Sequence, residues 1–223
     1  MALSTEFLDA LGALAGRQQR PLTVPWPMPG DPGAFVDFAS FGLWQKFVLK
    51  FSLRKGIPSI VKDEFDLAVK LHLLAWIDFS LIKAGELMAL AALELALQDC
   101  YSGVVNNLRR ADQAKAAPKR PAAIQRTAVP RRRKIEAIPF AVLLKYMPDH
   151  DGLTDAKIPM VGRVGGSVIG LLTGKRDPSL AGIRNTRAHG NPFGSGMQAG
   201  LLELIRDLIE YAYRNMPLEI AEQ

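Results

Sequence analysis

The stretch Asp177-Pro-Ser-Leu-Ala-Gly-Ile-Arg-Asn-Thr-Arg-Ala-His-Gly190 contains both a start signal and a stop signal for a helix. Asp177 before Pro178 is typical of an N-cap and a first helical position, because proline loses nothing where the first amide is unpaired. Gly190 is typical of the residue just beyond a helix, and Pro192 cannot continue one. The stretch therefore predicts a short helix that ends close to residue 189.

Three polar side chains fall in the last turns of this helix: Arg184, Asn185 and His189. At about 100° per residue, Asn185 and His189 share a face, whereas Arg184 and His189 diverge by about 140°. Arg184 and His189 can therefore meet at one atom only if the helix end unwinds or a second copy of the chain contributes. A symmetric dimer with two such helix ends face to face would form one cleft with two arginines and two histidines.

An arginine, an amide and a histidine this close together are the groups needed to cut an RNA phosphodiester without a metal. RNA carries its own nucleophile, the 2′-hydroxyl, and a histidine can take that proton or give one to the leaving 5′-oxygen. Arg184 can stabilise the negative charge on the phosphorus oxygens, and Asn185 can orient the phosphate or the imidazole. The alternative is that these residues only cap the helix, since cations are favoured at its C-terminal end.

The composition is that of a globular protein. Hydrophobic residues make up 48% and charged residues 22% of the 223 residues, which is typical of a soluble domain. Polar and charged residues interrupt the apolar stretch 67–97 repeatedly, which favours core helices over a membrane span. Cys100 is the only cysteine, so an intrachain disulfide is excluded. With no basic-then-apolar leader, we expect a cytoplasmic protein.

Hydrophobic periodicity predicts an all-α fold, a helical bundle without strands. Residues 1–33 are expected to form an extended lead-in, because residues 21–33 hold five prolines and two glycines. Residues 34–217 are expected to form one helical domain, interrupted by a flexible basic linker at about 105–136. The expected helices are 35–55, 64 to about 83 with Asp63 as cap, 86–101, 138–146, and an amphipathic helix from Met197 that Pro217 closes. The run 162–174 is either a helix or a turn.

Most of the positive charge lies in one segment. Residues 109–134 contain ten lysines and arginines against one acid, whereas the whole chain carries a net charge of +6. The segment has little apolar periodicity and is expected to be flexible. It is either a solvated stretch only or a tether for RNA, and it has no aromatic residue for base stacking. The residues expected to contact phosphates are Arg131, Arg132, Arg133, Lys134 and, outside the segment, Arg187.

Other polar residues have a structural interpretation beside a functional one. Glu94 is either a core acid paired with a buried base or a partner that holds Arg184 without itself contacting the substrate. His72 lies on an apolar helix and is expected in the core. His150 has no second histidine or cysteine at ligand spacing, so we predict neither a metal site nor a cofactor. The run 162–167 could cradle a phosphate, but a packing or hinge role is favoured because no strand is predicted before it.

The octapeptide Ile183-Arg-Asn-Thr-Arg-Ala-His-Gly190 resembles the signature of HEPN domains, in which an arginine, commonly followed by asparagine, precedes a histidine by a few residues. The run 90–98 is similar to the early helix of many such domains. The likeness covers about 35–101 and 138–215 and leaves out the basic segment. It implies an all-helical fold, homodimerisation through the motif helices and, often, metal-independent endoribonuclease activity in toxins or antiviral effectors.

On this resemblance we expect a dimeric ribonuclease, a toxin or phage-defence effector with RNA as substrate and an antitoxin or other regulatory partner. His189 would be the acid–base group, Arg184 the transition-state stabiliser and Asn185 the positioning residue. Asn191 stands where one toxin branch has the tyrosine that its antitoxin modifies, so that regulation is not expected. The alternatives are a non-catalytic helical dimer that binds a nucleotide, nucleic acid or protein, and a basic accessory protein that binds nucleic acid.

Overall fold

The computed structural model describes residues 4–15, 20–116, 137–189 and 196–216, apart from the side chains of residues 114–116. This part of the chain is mostly helical, as predicted, and also contains one two-stranded sheet. The elements are α1 (Thr5–Ala15), β1 (Leu22–Pro25), β2 (Phe35–Phe38), α2 (Phe41–Val48), α3 (Ser59–Leu74), α4 (Leu81–Ala116), α5 (Phe140–Asp149), α6 (Pro159–Val164), α7 (Ile169–Thr173), α8 (Leu180–Ala188) and α9 (Leu201–Ala212), with 3-10 turns at Leu49–Phe51 and Asp155–Lys157. None of the described helices is both long and apolar enough to cross a membrane.

The amino-terminal region differs from the predicted lead-in. A helix, α1, precedes a hairpin in which β1 pairs antiparallel with β2, so that Leu22 lies opposite Phe38. The prediction of one helix over 35–55 is therefore wrong at its start. Phenylalanine and valine suit a strand well, and β1 supplies the partner that a strand needs. The helix proper begins after Ser40, whose hydroxyl caps α2.

An aromatic cluster holds the hairpin against α2. Neighbouring rings have centroids 4.9 to 6.0 Å apart. The members of the cluster are Trp26, Phe38, Trp44, Phe47 and Phe51. Trp44 also donates its indole N–H to the carbonyl of His72 at 2.8 Å. The cluster therefore connects the hairpin to α3 as well as to α2.

Helix α4 runs through two positions where the sequence predicts an end. A Cβ at Gly85 would lie 2.5 Å from Nδ1 of His72, so this glycine allows α3 and α4 to approach closely rather than breaking the helix. The linker predicted at about 105–136 is helical as far as Ala116, because alanine, glutamine and arginine favour a helix. Residues 117–136 lie outside the described residues, and with them Arg131, Arg132, Arg133 and Lys134.

The core surrounds the middle of α4, which packs against α3, α5, α8 and α9. Leu90 and Leu93 of α4 are fully buried there, and so are Ile205 and Leu208 of α9. The amphipathic final helix is thus confirmed. It begins later than predicted because Gly200 adopts a left-handed conformation with φ of 68° immediately before it.

The remaining predicted helices differ from the structure mainly in their bounds. The second begins at Ser59, ahead of its predicted cap Asp63, and ends at Leu74. The helix predicted at 138–146 is α5. The run 162–174 contains both a helix and a turn, since α6 and α7 are joined through Gly165 and Gly166, which both have positive φ.

Candidate functional site

Helix α8, which carries the predicted site, begins after a different cap from the predicted one. Its N-cap is Ser179, whose hydroxyl oxygen accepts a hydrogen bond from the amide of Gly182 at 3.1 Å. Asp177 is exposed and lies two residues earlier. Because the serine oxygen already satisfies an early amide of the helix, the prediction of Asp177 as cap is wrong.

The end of α8 agrees with the sequence. The helix stops at Ala188, and His189 is its C-cap residue, with its amide donating to the carbonyl of Asn185 at 3.0 Å. Gly190, the predicted stop residue, and Asn191 lie outside the described residues. The histidine therefore stands at the point where the chain leaves the helix.

One side of α8 is buried and the other is open. Leu180 and Ile183 are buried, and the helix packs against α4, α5 and α7. Asn185, Ala188 and His189 are exposed. The two predicted polar site residues on this side can therefore reach a ligand or a second chain.

Arg184 lies at the edge between these two sides. Its Nη2 forms an ion pair with Oε2 of Glu94 at 2.8 Å, and its Nη1 donates to Oδ1 of Asn185 at 3.4 Å. The Arg184 side chain is 34% exposed and that of Glu94 is 24% exposed. Of the two interpretations of Glu94, this contact favours the partner of Arg184. The structure thus brings three of the predicted site residues together.

Arg187 is far more buried than Arg184. Its side chain is only 6% exposed, and its Nη2 forms an ion pair with Oε2 of Glu86 and donates to the carbonyl of Gly196 at 3.3 Å. This burial and the ion pair with Glu86 argue against the predicted role of Arg187 in holding RNA by phosphate contacts. Arg184 and Arg187 are neighbours on the helix surface, yet the Arg187 side chain is buried whereas that of Arg184 is 34% exposed.

Glu86 is a residue that sequence reasoning missed. Its side chain is 1% exposed, and its Oε1 accepts a hydrogen bond from the amide of Gln198 at 2.8 Å. Burial raises the pKa of Glu86 to about 7, although the Arg187 guanidinium and the Gln198 amide favour the ionised form. The signal was present, because an acid in a long apolar stretch must find a partner when the stretch is buried.

His72 lies in the contact between α3 and α4, where its ring approaches Gly85, the residue before Glu86. It is 1% exposed, and its Nδ1 lies 2.8 Å from the carbonyl oxygen of Ala68. Burial, together with the positive charge of Arg187, lowers the pKa of His72 to about 4, although the hydrogen bond to the Ala68 carbonyl acts in the opposite direction. The interpretation of His72 as a core histidine is confirmed.

The other candidate sites include no residue of α8 itself. His150 is the C-cap of α5 and stacks on Tyr146, with ring centroids 5.2 Å apart. Gly165 and Gly166 line a cavity of about 420 Å³ together with Arg176. In the described part of the chain, no three histidine, cysteine, aspartate or glutamate side chains gather into a possible metal site.

A comparison of the chain with protein-family models, with curated proteins and with solved structures finds no match.

Proposed function

We propose that this protein is a metal-independent endoribonuclease of the HEPN type, with a HEPN-like fold, that acts in the cytoplasm as a toxin or phage-defence effector. The observation that carries the proposal is the arrangement at the open end of α8. There Arg184 is held by Glu94 and contacts Asn185, while His189 faces solvent. A guanidinium has five N–H donors. One that is fixed by a single carboxylate oxygen keeps other donors for a phosphate.

The proposed reaction needs only these groups and the RNA. The 2′-hydroxyl attacks the adjacent phosphorus, the bond to the 5′-oxygen breaks, and the products are a 2′,3′-cyclic phosphate and a 5′-hydroxyl. His189 takes the proton of the 2′-hydroxyl or gives one to the leaving oxygen. Arg184 stabilises the additional negative charge on the phosphorus oxygens, and Asn185 orients the phosphate.

A homodimer is part of the proposal. Arg184 and His189 diverge on one helix, so a complete site needs the same helix end from a second copy. The exposure of Asn185, Ala188 and His189 leaves room for that copy. Substrate RNA would also be held by the basic segment 109–134, whose first residues are exposed on the last turns of α4. An antitoxin or other regulatory partner would act on this dimer.

The test is RNA cleavage by the purified full chain in EDTA, with the product ends identified. Wild type is compared with His189→Ala and with a matched control, His150→Ala. Both histidines are exposed and both are C-cap residues of a helix. We expect wild type and His150→Ala to release 2′,3′-cyclic phosphate ends, and His189→Ala to lose at least about a hundredfold in rate.

Equal cleavage by wild type and His189→Ala would refute the proposed role of the histidine. Cleavage that needs an added divalent metal would contradict the metal-independent reaction. Tight binding of RNA or a nucleotide without turnover by wild type would favour the non-catalytic dimer instead. Loss of RNA binding on deletion of 109–134, with no effect of His189→Ala, would favour the basic accessory protein.

A further inference from the structure

The buried Glu86–Arg187 pair makes contacts on both sides of residues 190–195. Arg187 precedes that segment and donates to the carbonyl of Gly196, which follows it. Glu86 accepts the amide of Gln198, two residues further on. One ion pair from α4 and α8 thus holds the chain where it leaves α8 and where it returns towards α9.

We infer that Arg187 and Glu86 are positioning residues, which together fix the C-terminal end of α8 and thereby the place of the His189 side chain. The inference rests on the proposed function for its catalytic consequence, since His189 is the proton-transfer group of that reaction. Whether the pair holds the end of α8 in place can be tested without RNA.

Helix α8 needs such an anchor. It has nine residues, and an isolated helix of that length is marginal in water. The last carbonyl groups of any helix lack partners within it, so its end frays unless tertiary contacts hold it. The buried residues Leu180 and Ile183 lie in its first half. In its second half no residue is classed as buried, but the Arg187 side chain is only 6% exposed and pairs with Glu86.

The chemistry of the pair also suits the positioning of neighbouring backbone groups better than a general contribution to stability. Burying two charges requires a large loss of hydration, and an apolar pair of similar size stabilises a core at least as well. Within the described part of the chain, Nε and Nη1 of Arg187 are buried without a hydrogen-bond partner. An apolar pair, however, cannot bond at once to Gly196 and Gln198. A forked guanidinium and a two-oxygen carboxylate can do so.

The experiment replaces the pair with apolar residues of similar length, Glu86→Met together with Arg187→Met. A matched control replaces Arg54 and Glu210 in the same way, because this arginine–glutamate pair is part-buried but joins the chain after α2 to α9. Two properties are measured in the full chain: hydrogen exchange of the His189 and Gln198 amides, and kcat and KM for RNA cleavage. A further variant, Arg187→Lys, keeps the charge but loses the forked geometry.

We expect Glu86→Met with Arg187→Met to fold, to exchange both amides faster than wild type, and to lose about ten- to a hundredfold in kcat with little change in KM. Arg187→Lys should show the same changes to a smaller extent, and the control pair should show neither. If the double variant does not fold, the decision passes to Arg187→Lys.

The anchoring would be overturned if both amides of the folded double variant exchanged at the wild-type rate. If the double variant is unfolded, the same result in Arg187→Lys would overturn it. An unchanged kcat despite faster exchange would overturn the link to His189. If wild type cleaves no RNA while exchange rises as expected, the proposed function fails and the anchoring of α8 stands. The failures of the two proposals are therefore distinguishable.

Discussion

Protonation of His72 is expected to destabilise the fold. The side chain is buried in the contact between α3 and α4, and burial lowers its pKa from the usual 6.5 to about 4. Below pH 6.5 the unfolded chain binds a proton at this residue and the folded chain does not. The contribution of His72 to stability is therefore present above pH 6.5 and is lost as the pH falls through about 4.

The magnitude follows from the size of the pKa change. Each pKa unit corresponds to about 1.4 kcal/mol, so the lowering from 6.5 to about 4 corresponds to roughly 3 kcal/mol of unfolding free energy. The matched variant is His72→Gln, which does not titrate and can still donate to the Ala68 carbonyl. Subtracting its unfolding free energy from that of wild type removes the contributions of groups that both proteins share.

The assay is urea denaturation of both proteins at several pH values, from about 7.5 down to about 4. We expect the wild type to lose roughly 3 kcal/mol relative to His72→Gln over this range. A difference that does not vary with pH would refute the reasoning, because it would mean that folding does not change the proton affinity of His72. If wild type instead gained stability relative to His72→Gln as the pH fell, the predicted direction of the pKa shift would be refuted.

Three further outcomes are expected. Burial raises the pKa of Glu86 from 4.5 to about 7, so its contribution to stability is present below pH 4.5 and is lost as the pH rises through about 7. In denaturation experiments, wild type should therefore lose stability relative to Glu86→Gln between these two pH values. Gly85→Ala should lower the free energy of unfolding by about 1–3 kcal/mol, because its Cβ would lie 2.5 Å from the ring of buried His72. Gly103→Ala in the same helix has no atom within 4 Å of its Cβ, so denaturation should show it to be neutral or stabilising. Glu94→Ala should lower kcat for RNA about tenfold by releasing Arg184 without raising KM, since removing an acid does not weaken RNA binding; a higher KM with unchanged kcat would contradict this role of Glu94.

Local sequence determined the end of α8 and the side of the last helix that is buried. The exit at residue 189 follows from a short helical run followed by glycine and proline, which sets where the helix can end. The amphipathic pattern of α9 determines which side of the helix is buried, because apolar residues at steps of three and four must face a core. The burial of His72 follows from its apolar neighbours in the same way.

Tertiary contacts decided what the local pattern leaves open. Residues 35–38 suit a strand or a helix, and only the pairing with residues 22–25 selects the strand. Gly85 could end a helix or admit a close neighbour, and the histidine ring of α3 decides between the two.

The two arginines of α8 show the same division at the candidate site. The sequence by itself placed Arg184 and Arg187 on neighbouring parts of one short helix and determined that both carry a positive charge. It could not determine which of them is buried, because burial of a guanidinium depends on a carboxylate from a distant part of the chain. Glu86 meets Arg187 in the core and Glu94 meets Arg184 at the surface. Only the packing of α4 against α8 makes that assignment.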